Sequence, residues 1–178
     1  MINTIFFYGT LSGLIIIATM TAMIASGSGD HGGTSLFVGY LIMIIALSVI
    51  FFGIKQYRDR ELGGVIKFVP ALMMGVGIAA VAGVIYVLIW EVYLVATNYS
   101  FMDAYAAAMI EAERAKGVTG PALDAKVQEF EAFKVQYKDP LIRLPITFLE
   151  IFPVGLLIAV ISAAILRNPR VLPAQAQG

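Results

Sequence analysis

Four long apolar stretches, separated by shorter polar ones, dominate the pattern along the chain. Residues 5–25 are apolar apart from scattered Ser, Thr and Gly. Residues 36–54 follow, then 69–97, then 141–166. The last stretch makes a helix of roughly 39 Å at the α-helical rise, enough to cross a hydrocarbon core of about 30 Å with some tilt. Each of the others is also long enough to span. The pattern predicts an all-α, four-helix transmembrane bundle, a single integral-membrane domain over residues 1–168. The first stretch reads as a retained helix rather than a cleaved leader, because no Lys or Arg precedes it and its apolar run is too long for a leader core.

Between the third and fourth spans the material changes. Residues 98–139 hold five Lys or Arg against seven Asp or Glu. Ser100 and Asp103 have the spacing of a capping box, Gly117 suits a helix stop and Pro121 a helix start. Leu123, Val127, Phe130, Phe133 and Tyr137 then share one helical face, and Asp139-Pro140 closes the segment. These signals predict an extramembrane helical hairpin whose apolar stripes face each other or the mouth of the bundle. Residues 169–178, ending in VLPAQAQG, read as a disordered tail.

Small residues mark where helices approach. Gly75, Ala79 and Gly83 recur every fourth residue in the third span, and Gly155, Ala159 and Ala163 do so in the fourth, so the two antiparallel stripes can meet at one depth. Gly9 and Gly13 stand at the same spacing in the first span, although glycine is frequent in such helices anyway.

Composition agrees with a membrane domain: 60% of residues are hydrophobic, 13% are charged and the mean hydropathy is +0.87. Twelve basic and twelve acidic residues cancel, which leaves no basic surface for nucleic acid. Cysteine is absent, so thiolate metal sites and disulfides are excluded, and the single histidine leaves multi-histidine metal or triad chemistry with too few parts. That histidine, His31, lies beside Asp30 in the loop SGSGDHGGTS, where a solvated side chain is the plain reading. No metal, cofactor or enzymatic activity is expected.

Charge distribution gives the topology. The basic groups tie at six on each side, but Lys55, Arg58, Arg60, Lys67, Arg167 and Arg170 hug span ends among Phe51, Phe52, Tyr57 and Phe68. This places the Lys55–Lys67 loop and both termini in the cytoplasm. The same loop, or the hairpin, offers a docking surface, with a solvated interfacial loop as the simpler alternative.

Two carboxylates stand within the spans. Glu150 lies in FLEIFPVG, and Glu91 among Trp90, Tyr93 and Tyr99. By helix rise the two differ in depth by about 7 Å, close enough away from water to share a proton. Pro153 lacks an N–H, frees the carbonyl of Leu149 and is a kink candidate. Against a direct pairing, Glu150 and Gly155 lie about 140° apart around an ideal helix. Glu150 is then directed to the first or second helix, or to a sister subunit, and Arg143 lies on nearly the same face. The candidate polar site is Glu91, Glu150, Tyr93, Thr147 and Arg143, with a structural ion pair as the alternative to a solute or proton role.

Taken together, LSGLI near Leu11, IALSVIFFGIKQYRD and LGGVI between Ile45 and Ile66, IYVLIWEVY from Ile85 to Tyr93, and FKVQYKDPLIR with TFLEIFPVGLL from Phe133 to Leu157 are similar to a bacterial inner-membrane family. That family is known as domain of unknown function number 4199. The resemblance covers nearly the whole chain before its tail, and the glycine-rich first loop and VLPAQAQG depart from it. It implies a four-span membrane protein with a helical insert and carries no activity. Two functions stand: a carboxylate-dependent transport component for a small solute, cation or proton, which with four spans needs a homo-oligomer, or a membrane anchor or accessory subunit for another membrane protein.

Overall fold

The computed structural model describes residues 1–25 and 33–174, and among these the chain is helical with no strand. Seven helices follow in order: α1 (Ile2–Ala25), α2 (Gly33–Leu47), α3 (Val49–Glu61), α4 (Phe68–Ala96), α5 (Ser100–Ala115), α6 (Pro121–Tyr137) and α7 (Pro140–Leu166). Four stretches are long and apolar enough to cross a membrane: Ile2–Met23, Phe37–Glu61, Phe68–Ala96 and Pro140–Leu166. Asp30 and His31 lie outside the described residues, as does the tail beyond Ala174.

The second span is α2 and α3 in series, broken at Ser48. The Ser48 hydroxyl donates to the Ile45 carbonyl at 2.6 Å. Such a back-bond competes with the regular ladder and bends a helix. Helix α3 then continues to Glu61, so the segment expected to be a loop from Lys55 is helical over its first half. A Lys55–Asp59 ion pair one turn apart supports it. The chain turns only at Gly63 and Gly64, where φ is +65° and +91°. A left-handed backbone suits glycine and stops the helix.

Helix α4 packs lengthwise against both α1 and α7, with α3 closing the bundle beside it. Small residues set these approaches. A Cβ on Gly75 would stand 2.7 Å from the Ala159 Cβ, and one on Gly155 would stand 2.7 Å from the Ala79 Cβ. Gly83 receives the Phe148 ring in the same way. On the other flank of α4, Gly9 meets Val81 and Gly13 meets Ile85 and the Ala82 carbonyl. Ala163 is buried farther along α7. Leu47, Ile50, Ile54, Met74, Ile78 and Ile151 fill the remaining interior.

Large apolar side chains also cover the outside, with Phe7, Phe37, Met73, Val92 and Leu157 all at least 60% exposed. In water such a surface is an aggregation liability; in lipid tails it is the ordinary exterior. The molecule is a multi-pass transmembrane helical bundle.

Helices α5 and α6 form the hairpin. The expected capping box at Ser100 does not form: Ser100 is already helical, and the cap position is Tyr99, left-handed at φ +58° without a side-chain cap bond. Asp103 instead pairs with Lys134 of α6 at 3.0 Å. At the far end Gly117, at φ +84°, makes the helix stop. Its N–H donates to the Arg114 carbonyl and that of Val118 to the Glu113 carbonyl, satisfying the last turn of α5. Asp139 caps α7 by accepting from the Leu141 N–H at 2.9 Å. Helix α7 stays helical through both Pro145 and Pro153.

Candidate functional site

Charged side chains within the spans converge near the hairpin end of α4 and α7. Arg143, Thr147, Ile151 and Gly155 are four residues apart, so they share the buried face of α7. Helix α6 ends at Tyr137, and two further residues carry the chain into α7. Arg143 therefore sits under the C-terminus of α6, where carbonyls without helical donors attract a cation.

Its guanidinium is only 1% exposed and uses three of its nitrogens. Nε donates to Glu91 Oε1 and Nη2 to Glu91 Oε2, both at 2.6 Å. Nη1 donates to the Tyr137 carbonyl at 2.9 Å and the Lys138 carbonyl at 3.1 Å. The Tyr99 and Tyr137 rings lie 5.3 and 5.9 Å from the guanidinium carbon, within cation–π range. One side chain thus joins α4, α6 and α7.

A neutral hydrogen-bond chain runs beside the ion pair. The Trp90 indole N–H donates to the Tyr137 hydroxyl at 3.1 Å. The Thr147 hydroxyl donates to the Arg143 carbonyl at 3.0 Å, so the Tyr137 hydroxyl, 3.4 Å away, is left to donate to Thr147. Trp90 is stacked between Tyr86 and Tyr93 and meets the edge of Phe101 from α5 at 4.8 Å. Of the five residues expected to form one polar site, Glu91, Arg143 and Thr147 join this network, and Tyr93 packs against its tryptophan. Trp90, Tyr99 and Tyr137 complete it. Tyr137 was legible as part of an apolar stripe, and its hydroxyl partners were not.

Glu150 stands apart. The shared-proton pairing of Glu91 with Glu150 gives way to the Glu91–Arg143 ion pair, because the register that sets Gly75 against Ala159 and Ala79 against Gly155 brings Arg143 level with Glu91 and leaves Glu150 about 10 Å farther along α7. Glu150 is exposed on α7 and makes no hydrogen bond or ion pair among the described residues. It is about 15 Å along the helix from Pro140 and about 24 Å from Leu166. An acid at such depth costs roughly 2.5–3.5 kcal/mol on insertion scales. The buried phenol of Tyr86 on α4 is directed at Met20 Sδ, 2.9 Å away.

A second buried arginine lies at the opposite end. Arg58, expected in a solvated loop, is fully buried. It follows Ile50 and Ile54 at intervals of four on the buried face of α3, a spacing that was readable once the helix was known to continue. Its guanidinium donates to the Leu166 carbonyl at the end of α7, to the Val171 carbonyl at 3.0 Å and to that of Leu172, and pairs with Asp59. The first tail residues are therefore held against the bundle. Both buried arginines clasp a helix C-terminus and both have a carboxylate beside them.

Among the described residues no cluster of His, Asp or Glu could hold a metal ion. An apolar groove lined by Val84, Val87, Leu88, Leu144, Pro145 and Phe148 runs between α4 and α7 and carries no charged group. No curated protein and no solved structure matches the chain. The family model described as a protein of unknown function (DUF4199) matches residues 7–168, and the chain belongs to that family.

Proposed function

We propose that the chain is an accessory membrane protein of a bacterial inner membrane, whose bundle holds the α5–α6 hairpin in a fixed pose for recognition by another membrane protein. The observation that carries this reading is the Arg143 clasp, which binds Glu91 and the end of α6 at once. Glu91, one of the two acids a transport pathway would use, is spent on fixing the hairpin. Close helix packing at Gly75, Gly83 and Gly155 further favours a rigid body. The basic groups near Lys55–Lys67 and Arg167–Arg170 favour cytoplasmic termini, which puts the hairpin on the outer side.

The test is site-specific photocrosslinking in native membranes from Val135 on the exposed face of α6, which is 66% exposed, with Val92 on α4 as a lipid-facing control. A discrete protein adduct is expected from Val135, lost in a Glu91→Gln background that loosens the hairpin. No adduct from any hairpin position would overturn the proposal. A second reading, transport through an oligomer, draws on the unpartnered Glu150. Proton or cation flux in liposomes above that of empty vesicles, and abolished by Glu150→Gln, would replace the accessory reading with it.

A further inference from the structure

Helix α7 carries a regular seam on its outer surface. Ile146, Glu150, Pro153, Leu157, Val160 and Ala164 follow one another at alternating steps of four and three residues, and all six are exposed. Alternating steps of that kind give the 3.5-residue repeat of two helices wound around each other. The seam is apolar except at Glu150. In lipid, a polar residue at one position of such a seam can hydrogen-bond across it and fixes both register and the number of strands.

Among the described residues no cation pairs with Glu150. Arg143 is held by Glu91, while Lys55 and Arg58 are held by Asp59. Lys67, Arg167 and Arg170 lie beyond the ends of α4 and α7. What can lie at the same depth is another Glu150, because two copies inserted in the same sense are related by a two-fold axis along the membrane normal, and a residue beside that axis faces its own equivalent.

We propose that α7 is the seam of a parallel two-fold dimer with a second copy of this chain, in which the two Glu150 carboxyls meet across the axis and hold a proton between them. A protonated carboxyl is both donor and acceptor, so the symmetric pair satisfies itself, whereas two ionised carboxylates at that distance would repel. The Leu149 carbonyl, left without its helical donor by Pro153, adds an acceptor one residue away. Ala164 lets the helices close at the Leu166 end. This pairing does not depend on what the hairpin recognises.

The chain has no cysteine, so single-cysteine variants report cleanly. In bilayers of the full-length protein, Ile146→Cys and Leu157→Cys should form intermolecular disulfides on mild oxidation, and Leu88→Cys on exposed α4 should not. Replacing Glu150 by leucine in the Leu157→Cys background should weaken self-association about tenfold, the scale of one interhelical hydrogen bond in lipid, while Glu150→Gln, which both donates and accepts, should retain it. Leucine at an exposed apolar seam leaves the fold intact, which the unchanged fluorescence of Trp90 would verify. Equal crosslinking in the leucine variant, crosslinking through Leu88→Cys instead of the seam, or a strictly monomeric protein would each overturn the proposal.

Discussion

Arg143 donates four hydrogen bonds, two to the Glu91 carboxylate and one each to the Tyr137 and Lys138 carbonyls, and so ties the hairpin to the bundle. Burying a guanidinium is costly, and removing its counter-charge typically costs about 3–5 kcal/mol because the remaining charge has no compensation. Glu91→Gln should therefore lower thermal stability in detergent micelles by that order. Arg143→Met should cost less electrostatically, since the Glu91 side chain is 24% exposed and retains some access to water. Combining the two should cost less than their sum, with a coupling of roughly 0.5–3 kcal/mol. Additive losses in that double-mutant cycle would mean the short contacts carry no net energy. Helix rise made the depth of Glu91 and Glu150 readable beforehand, but depth alone does not choose a partner. The packing register of α4 and α7 does: it sets Gly75 against Ala159 and Ala79 against Gly155, so that Glu91 falls level with Arg143 and Glu150 lies about 10 Å farther along. The close of α6 above Arg143 depends on a hairpin whose tertiary pose no local pattern encodes.

At the level of elements, small residues decide which helices can meet. On Gly155 a methyl group would press against the Ala79 Cβ at 2.7 Å, and alanine has no rotamer with which to yield. Gly155→Ala should force α4 and α7 apart and cost on the order of 1–3 kcal/mol, as overpacking does. At Gly39 of α2 an added Cβ meets nothing within 4 Å. Gly39→Ala should therefore stabilise by roughly 0.5–1 kcal/mol through helix propensity. Opposite signs in thermal unfolding of these two variants would separate packing from propensity, and equal signs would refute the close approach. The stripes were plain in the sequence because spacing by four survives in any helix. The end of the second span was not, because Lys55, Arg58 and Arg60 look like loop chemistry until Gly63 and Gly64 are recognised as the turn. Ser100 misled for a related reason: a cap sequence is local, whereas the left-handed turn at Asn98 and Tyr99 is imposed by the hairpin folding back.

Electrostatics between the hairpin helices yields a pH prediction at the same scale. Hydrogen bonds to Glu131 and then Asp103 raise the Lys134 ammonium above its ordinary value of 10.5. A raised lysine contributes its stability fully below the unfolded value, and that contribution disappears as the pH climbs through the folded one. The Lys134 contribution to the α5–α6 bridge is therefore intact at neutral pH and is lost in strong alkali. NMR titration of the isotopically labelled lysine should show a midpoint above 10.5, falling toward it in Asp103→Asn. An unmoved midpoint would remove Asp103 from the bridge.

For the whole molecule the question is whether hairpin and bundle unfold together. The single tryptophan is placed to answer it, since Trp90 belongs to α4, bonds Tyr137 of α6 and meets Phe101 of α5. Its emission therefore reports docking, whereas far-ultraviolet circular dichroism reports all seven helices. In the native chain Arg143 and the Trp90–Tyr137–Thr147 chain tie the two parts, so both signals should change at one denaturant concentration. Tyr137→Phe removes the acceptor for the Trp90 N–H and the donor to Thr147, leaving a buried donor unsatisfied at a cost of about 1–3 kcal/mol. The bundle's glycine and alanine contacts are untouched by that change. The tryptophan transition should consequently move to lower denaturant while the main loss of helix stays in place, and iodide should quench Trp90 before the bundle opens. Coincident transitions in Tyr137→Phe would show that the lipid-embedded helices and the hairpin are one cooperative unit, and would shift the weight of hairpin docking from this polar chain to the Arg143 clasp.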